Sequence, residues 1–457
     1  MDLTVGSIPK KVLRYTLPLI ATALIQLLFN AADLVVVGMY CGSTAVAAVG
    51  ATTSIVHLFI ELFFGFASGV SVTVAQSIGA KNPKATERAV HTSIPLGIAC
   101  GVFLMLVGIL SARPGLRLMN TPEEILDQAV IYMQIYFVGI LPQLVYNFGA
   151  AILNACGETR KPLLYLSLAG VINIVLNLIF VIVFHLDVVG VALATTISQT
   201  VSCLLVLRAL AKRTDAAKLM FRKLRFHGPS LRQILRIGIP AGLQSSFYAF
   251  ANIFIQTNVN AFGTAAVAGN SAATTIGGFI GALVSNYGTT SINFMGQNFG
   301  AAKYDRCRQS IKWTMLFGCL FATAGSVLAI VFGRPLLSIF ISDSPEAIEY
   351  GMRKLILAYG FYFTQGVQNA TSGGMRGMGI SIPQMIISIF GVGVLRLIWL
   401  YVMIDVLGIN TIDVVFLTFG ISWTVTAILT FIALQIAKKR VLVPLEQAAE
   451  RGRCLTS

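Results

Sequence analysis

Residues Gly42–Ile55, GSTAVAAVGATTSI, return 221 residues later as Gly263–Ile276, GTAAVAGNSAATTI. Other pairs keep an offset of 221 or 222. Leu13-Arg14 with Pro18 recurs as Leu235-Arg236 with Pro240, Gln76-x-x-Gly79-Ala80 as Gln297-x-x-Gly300-Ala301, and Arg113-Pro114 as Arg334-Pro335. Asn154-x-x-Gly157, with Pro162 after it, is answered by Arg376-x-x-Gly379 with Pro383. Five stretches at one nearly constant offset describe an internal duplication.

The duplicated unit is built for lipid. Of the 457 residues 56% are hydrophobic and 11% charged, whereas a soluble domain carries about 25% charged residues. Eighteen acids and 33 bases cannot cover the surface of the three globular domains that the length would otherwise suggest. A membrane helix needs about 20 mainly apolar residues, and about twelve such stretches are present. They lie near 13–38, 46–77, 88–112, 123–153, 162–184, 189–211, 232–260, 265–299, 310–332, 346–374, 383–404 and 412–437. No alternating segments of the β-barrel kind are visible. The fold class is therefore an all-α polytopic membrane protein.

The bases give the orientation. On alternate connections they total 27 of the 33, including Lys10, Lys11 and Arg14 at the start, nine between Arg208 and Arg236, and five from Lys438 onward. By the positive-inside rule both termini are cytoplasmic and the number of spans is even. The net charge of +15 thus records membrane orientation rather than a nucleic-acid partner. Six spans per repeat make two lobes that enter the membrane in the same sense, related by a pseudo-two-fold along the membrane normal. The expected organisation is an N-lobe over 1–211, a cytoplasmic linker over 212–231, a C-lobe over 232–437 and a cytoplasmic tail over 438–457. Two such lobes suit alternating access. The seven cysteines show no CxxC pair, and no GxxxxGK[ST] loop is present to drive transport with ATP.

Ionisable groups at membrane depth are costly and mark function. Four stand out: Asp33, His57, Glu61 and Arg396. Asp33 lies about 20 residues along the first helix, roughly 30 Å across at 1.5 Å per residue. His57 and Glu61 share a helix face at i, i+4, as do Asn173 and Asn177 on the fifth span. The amides can offer oxygens to a hard cation or bond neighbouring helices. The pair His57 and Glu61 falls short of a metal site, which argues against a membrane-embedded metalloenzyme. Thr195 and Gln199 on the sixth span, with Asn252, Asn286, Gln365 and Asn369 in the second half, are further polar candidates for a cleft. Pro18 removes a helical hydrogen bond and should kink the first helix.

Pro18, Asp33 and Gly38 on the first span, VAQSIGA at 74–80, MGQNFGA at 295–301 and MRGMG at 375–379 together resemble the multidrug and toxic compound extrusion (MATE) transporters. That resemblance implies antiport of organic cations and drugs against protons or sodium. It implies a monomer in the cell membrane, with no cofactor beyond the coupling ion. It makes Asp33 the cation-coupling carboxylate and Asn173 its polar partner, with Asn177 standing where many relatives have an acid. The C-lobe acids of another branch are missing, since 238–260 and 355–374 contain no Asp or Glu. We add the expectation that Glu61 supplies a second carboxylate, and that Thr195 joins the coupling site. The alternative within the same superfamily is a flippase of lipid-linked oligosaccharides or peptidoglycan precursors, which would favour several deep bases where the sequence shows only Arg396.

Overall fold

The structure is a computed structural model that describes residues 1–119, 121–341 and 344–454, with the side chains of some helical positions, His57 among them, outside the description. No strand occurs among the described residues. The first half forms α1 (Ile8–Tyr40), α2 (Gly42–Gly79), α3 (Pro83–Leu118), α4 (Glu123–Ala155), α5 (Arg160–Leu178) and α6 (Asp187–Ala211). The second half forms α7 (Gly228–Asn260), α8 (Thr264–Gly300), α9 (Tyr304–Val331), the short α10 (Gly333–Ser338), α11 (Pro345–Leu357) and α12 (Phe363–Gly377). It continues with α13 (Ile382–Ser388), α14 (Leu395–Leu400), α15 (Ile412–Ala437) and α16 (Val443–Cys454).

Every expected span falls on helix, and ten helical stretches among the described residues are long and apolar enough to cross a membrane. The seventh and tenth expected spans are the two that fall short. α7 is long enough, but Arg232, Gln233, Arg236, Gln244 and Asn252 dilute its apolar character. The tenth is broken: α11 has 13 residues and α12 has 15, separated by a 3-10 turn at Tyr359–Phe361. Backbone irregular at membrane depth is tolerated only inside protein or along a cavity, and this break lies beside one.

The duplication is visible in the backbone. Gly42 and Gly263 have φ of 82° and 92°, Gly157 and Gly379 have 81° and 84°, and Lys81 and Ala302 have 50° and 53°. Each pair repeats one left-handed turn at the same place in its half, and glycine takes that conformation without strain. Helix starts follow ordinary capping rules: Asn82 accepts from the Ala85 amide at 3.0 Å and Ser344 from the Ala347 amide at 3.2 Å, each with proline next.

Packing divides the chain into two compact units, Met1–Asp2 with Leu17–Gly242, and Leu3–Thr16 with Leu243–Ser457. The divisions fall inside α1 and α7, beside Pro18 and Pro240. In each unit the repeated glutamine of Q-x-x-G-A fastens the start of the helix that crosses over. In the first unit Gln76 Oε1 accepts from Gln233 Nε2 at 2.8 Å. In the second, Gln297 Oε1 accepts from the Leu3 amide at 3.0 Å, and Tyr15 meets Phe294 edge to face at 5.6 Å.

Within the first unit α2 and the opening half of α7 approach through four glycines. A Cβ on Gly65 would lie 2.0 Å from the Gly242 nitrogen, and one on Gly242 would lie 2.0 Å from the Leu62 carbonyl oxygen. Gly69 and Gly238 are nearly as tight, with contacts of 2.3 Å to the Ile234 oxygen and 2.8 Å to the Phe66 Cα. Small residues four apart on both partners let membrane helices touch backbone to backbone, where dispersion and not hydrophobicity drives association. The segment 212–231 lies on the first turns of α3: His91 Nε2 accepts from the Met220 amide at 3.0 Å, Thr92 Oγ1 from the His227 amide at 3.1 Å, and Lys223 pairs with Glu87 at 2.8 Å. Arg213 binds both Glu158 and Asp215, and its guanidinium holds the Asp215 carboxyl below the usual carboxylate range.

Adding a methyl group at the glycine crossing forces the two backbones apart. Gly65→Ala and Gly242→Ala should each cost about 1–3 kcal/mol, as overpacking does, and lower the melting temperature of the purified protein by several degrees. Gly278→Ala, with open space around its Cβ, should leave it unchanged in the same thermal scan.

Candidate functional site

The first candidate site forms where α1, α5 and α6 meet in the first unit. Helical spacing puts Asn173 and Asn177 one above the other on α5, and both are buried. Asn177 Nδ2 donates to Asp33 Oδ1 at 2.5 Å and reaches Asn173 Oδ1 at 3.3 Å. Asn173 Nδ2 donates in turn to Thr195 Oγ1 at 3.3 Å, while the Thr195 hydroxyl donates to the Val191 carbonyl at 3.0 Å. Asp33, Asn173, Asn177 and Thr195 are thus one connected cluster, drawn from three helices.

The cluster is incomplete as it stands. The Asn177 Oδ1 atom is buried and has no hydrogen-bond partner. An unmet buried acceptor costs about 1–3 kcal/mol, and here it belongs to the residue that bonds the carboxylate. An acid, two amide oxygens and a hydroxyl offer the oxygen ligands that small hard cations prefer. Around them buried Val36 and Val37 of α1 and Val188 and Val191 of α6 pack with Tyr132 of α4. Among the described residues no group of three or more His, Cys, Asp or Glu side chains is placed to hold a metal ion.

The other sequence candidates fall differently. Glu61 is half-buried on α2 and makes contacts of its own, while the carboxylate partner at Asp33 is the amide of Asn177. The His57 side chain lies outside the described residues. Gln199 has a buried Oε1 without a partner. In the second unit Asn286 Nδ2 bonds the Ala282 carbonyl one turn back at 2.8 Å, and Asn369 Nδ2 does the same to Gln365 at 2.9 Å. At these contacts both amides bond back onto their own helix. Asn252 and Gln365 line a cavity with Arg396, and Arg396 is bonded by Asn252 Oδ1 and Ser422 Oγ, each at 3.0 Å.

One group was misplaced by sequence reasoning. Lys354, near the start of the tenth expected span, did not stand out among the deep ionisable groups, and Arg396 was the one deep base. It is instead buried, 4% exposed, and lines the same cavity as Arg396. A signal was present: Ala347, Gly351, Lys354, Leu355 and Ala358 follow a helical stripe and all are buried. Arg353, one position earlier and about 100° around the helix, faces out and pairs with Asp413 at 3.4 Å.

Comparison with known proteins agrees with this architecture. The sequence pattern of the MatE family matches residues 18–179 and again 240–402, one match in each repeat. The chain is 27% identical over 395 residues to the Bacillus subtilis (strain 168) "Probable multidrug resistance protein YpnP", covering 86% of this chain and 88% of the relative. It is 25% identical over 350 residues to the "FAD transporter" of Shewanella oneidensis, covering 75% and 76% of the two chains. A solved MOP superfamily transporter from Pyrococcus furiosus has the same fold, with a TM-score of 0.90 at 22% identity over 97% of this chain and 98% of that one. With the family matched in both halves and the helices arranged as its members arrange them, the chain belongs to the MatE family of multi-pass membrane transporters.

Proposed function

We propose that the protein exports small organic molecules from the cell by antiport, with the coupling cation taken up at Asp33. The observation that carries this reading is the cluster of Asp33 with Asn177, Asn173 and Thr195 and its unpartnered Asn177 Oδ1. A carboxylate at membrane depth is costly unless a cation or donors compensate it. Here the neighbouring side chains that bond it are neutral, so full neutralisation falls to a mobile cation. A proton and a sodium ion both suit an all-oxygen set. An organic cation drawn to the same carboxylate competes with the coupling ion, and that competition is the coupling of antiport.

In this reading the two lobes alternate access as a monomer in the cell membrane, with both termini cytoplasmic. The coupling ion serves as the only cofactor. The relatives named above include a drug-resistance protein and an FAD transporter, which supports an exporter of small molecules over a flippase of lipid-linked oligosaccharides.

Asp33→Asn keeps the size of the side chain and removes the charge that the cation neutralises. In proteoliposomes given either a pH gradient or a sodium gradient, gradient-driven export of a fluorescent organic cation such as ethidium should fall at least ten-fold. Full export by Asp33→Asn under both gradients would remove Asp33 from the coupling site. The gradient that drives the unmodified protein identifies the ion.

Asn177→Ala leaves Asp33 without its buried donor and should cost about 1–3 kcal/mol. The expected readouts are a lower melting temperature and a weaker apparent affinity for the driving ion. Asn258→Ala serves as the control, since Asn258 is half-buried and its side chain bonds the Phe254 carbonyl of its own helix.

A further inference from the structure

The second unit contains a cavity of 340 Å³ whose polarity is opposite to that of the Asp33 cluster. Two cationic side chains line it, Lys354 and Arg396, which are 4% and 3% exposed. No aspartate or glutamate lines it, and among the described residues no acid comes within ion-pair distance of either base. Their partners are neutral. Lys354 Nζ donates to Asn270 Oδ1 at 2.7 Å and Thr274 Oγ1 at 2.5 Å, and Arg396 donates to Asn252 and Ser422. Both cations rest against one ring, with Lys354 Nζ at 5.3 Å and the Arg396 guanidinium carbon at 4.7 Å from the Phe419 centroid.

Two like charges lining one cavity repel each other, and the amides, hydroxyls and ring beside them leave the net charge uncancelled. Amide oxygens and an aromatic face orient the cations without neutralising them. An anion entering the cavity would supply the missing charge, in a setting where water screens little. The walls add a second requirement. Tyr362 meets Trp423 at 5.0 Å and 86°, and Tyr359 and Phe419 lie 6.2 Å and 5.4 Å from the same indole. Tyr359 and Tyr362 flank the break between α11 and α12, so the interruption of the tenth span places its aromatic residues at the cavity. The volume falls in the range of small-molecule pockets and fits a compact ligand of one or two rings.

We propose that this cavity binds an aromatic anion, held by Lys354 and Arg396 at its charged end and by Tyr359, Tyr362 and Trp423 along its ring. This makes aromatic anions a second class of cargo beside the cations drawn to Asp33. As cargo, the anion rests on the reading of the chain as an exporter; its binding does not. Calorimetry without a membrane gradient therefore tests the site separately from transport, and a failure of coupled export would leave the binding result standing.

The purified full-length protein is titrated with 2-naphthoate, 2-naphthyl phosphate and the cationic 2-naphthylmethylammonium. Both anions should bind, and the tighter of the two identifies a carboxylate or a phosphate as the preferred head group, while binding of the cation reports on the Asp33 cluster. Lys354→Met and Arg396→Met should each weaken anion binding at least ten-fold and leave the cation's affinity unchanged. Failure of the unmodified protein to bind either anion overturns the proposal, whether or not the variants fold. Anion binding that survives both substitutions overturns it as well.

Discussion

Hydrocarbon offers no hydrogen bonds, so every charge, amide and interrupted stretch of backbone in this protein must find its partner inside the protein or in what it carries. That demand explains features which would be unremarkable in water. Asn177 turns toward Asp33, Lys354 is wrapped by Asn270 and Thr274, and Arg396 by Asn252 and Ser422. At each place the bonding partners are neutral. The two units answer with opposite signs: an acid in the first, a pair of bases in the second.

The same solvent sets the means of packing. Between apolar helices in lipid there is no hydrophobic drive, and close backbone approach takes its place. The crossing of α2 with the first half of α7 uses Gly65, Gly69, Gly238 and Gly242 for this purpose. The repeated glutamines Gln76 and Gln297 add a polar fastening, Gln76 to Gln233 near the start of α7 and Gln297 to the Leu3 amide on the stretch that leads into α1. Pro18 and Pro240 stand beside the divisions inside α1 and α7, so the duplication that identified the fold also marks where each of these helices loses a backbone hydrogen bond.

Much of the first site was legible in the sequence because its signals are local. An acid in an apolar run and two asparagines at i, i+4 are visible without tertiary information, and the structure joined them to Thr195. Which helices meet at Asp33 was not legible, because the facing directions of separate helices are not encoded in spacing along one of them. Lys354 was missed for a related reason. A base within the first turns of a span ordinarily snorkels to the membrane surface, and only the buried stripe from Ala347 to Ala358 turns this one inward.

By itself the sequence determined the all-helical membrane fold and the duplication, set the expected sidedness and singled out Asp33. These follow from composition, periodicity and the cost of charge in lipid, which act along the chain. Only the tertiary structure decided that Asn177 bonds Asp33, that the tenth span is broken beside a cavity, and that Lys354 joins Arg396 around Phe419. Those outcomes depend on which faces of distant helices meet. Contacts between α7, α11, α14 and α15 are set by packing across the unit, and no local pattern in the chain records them.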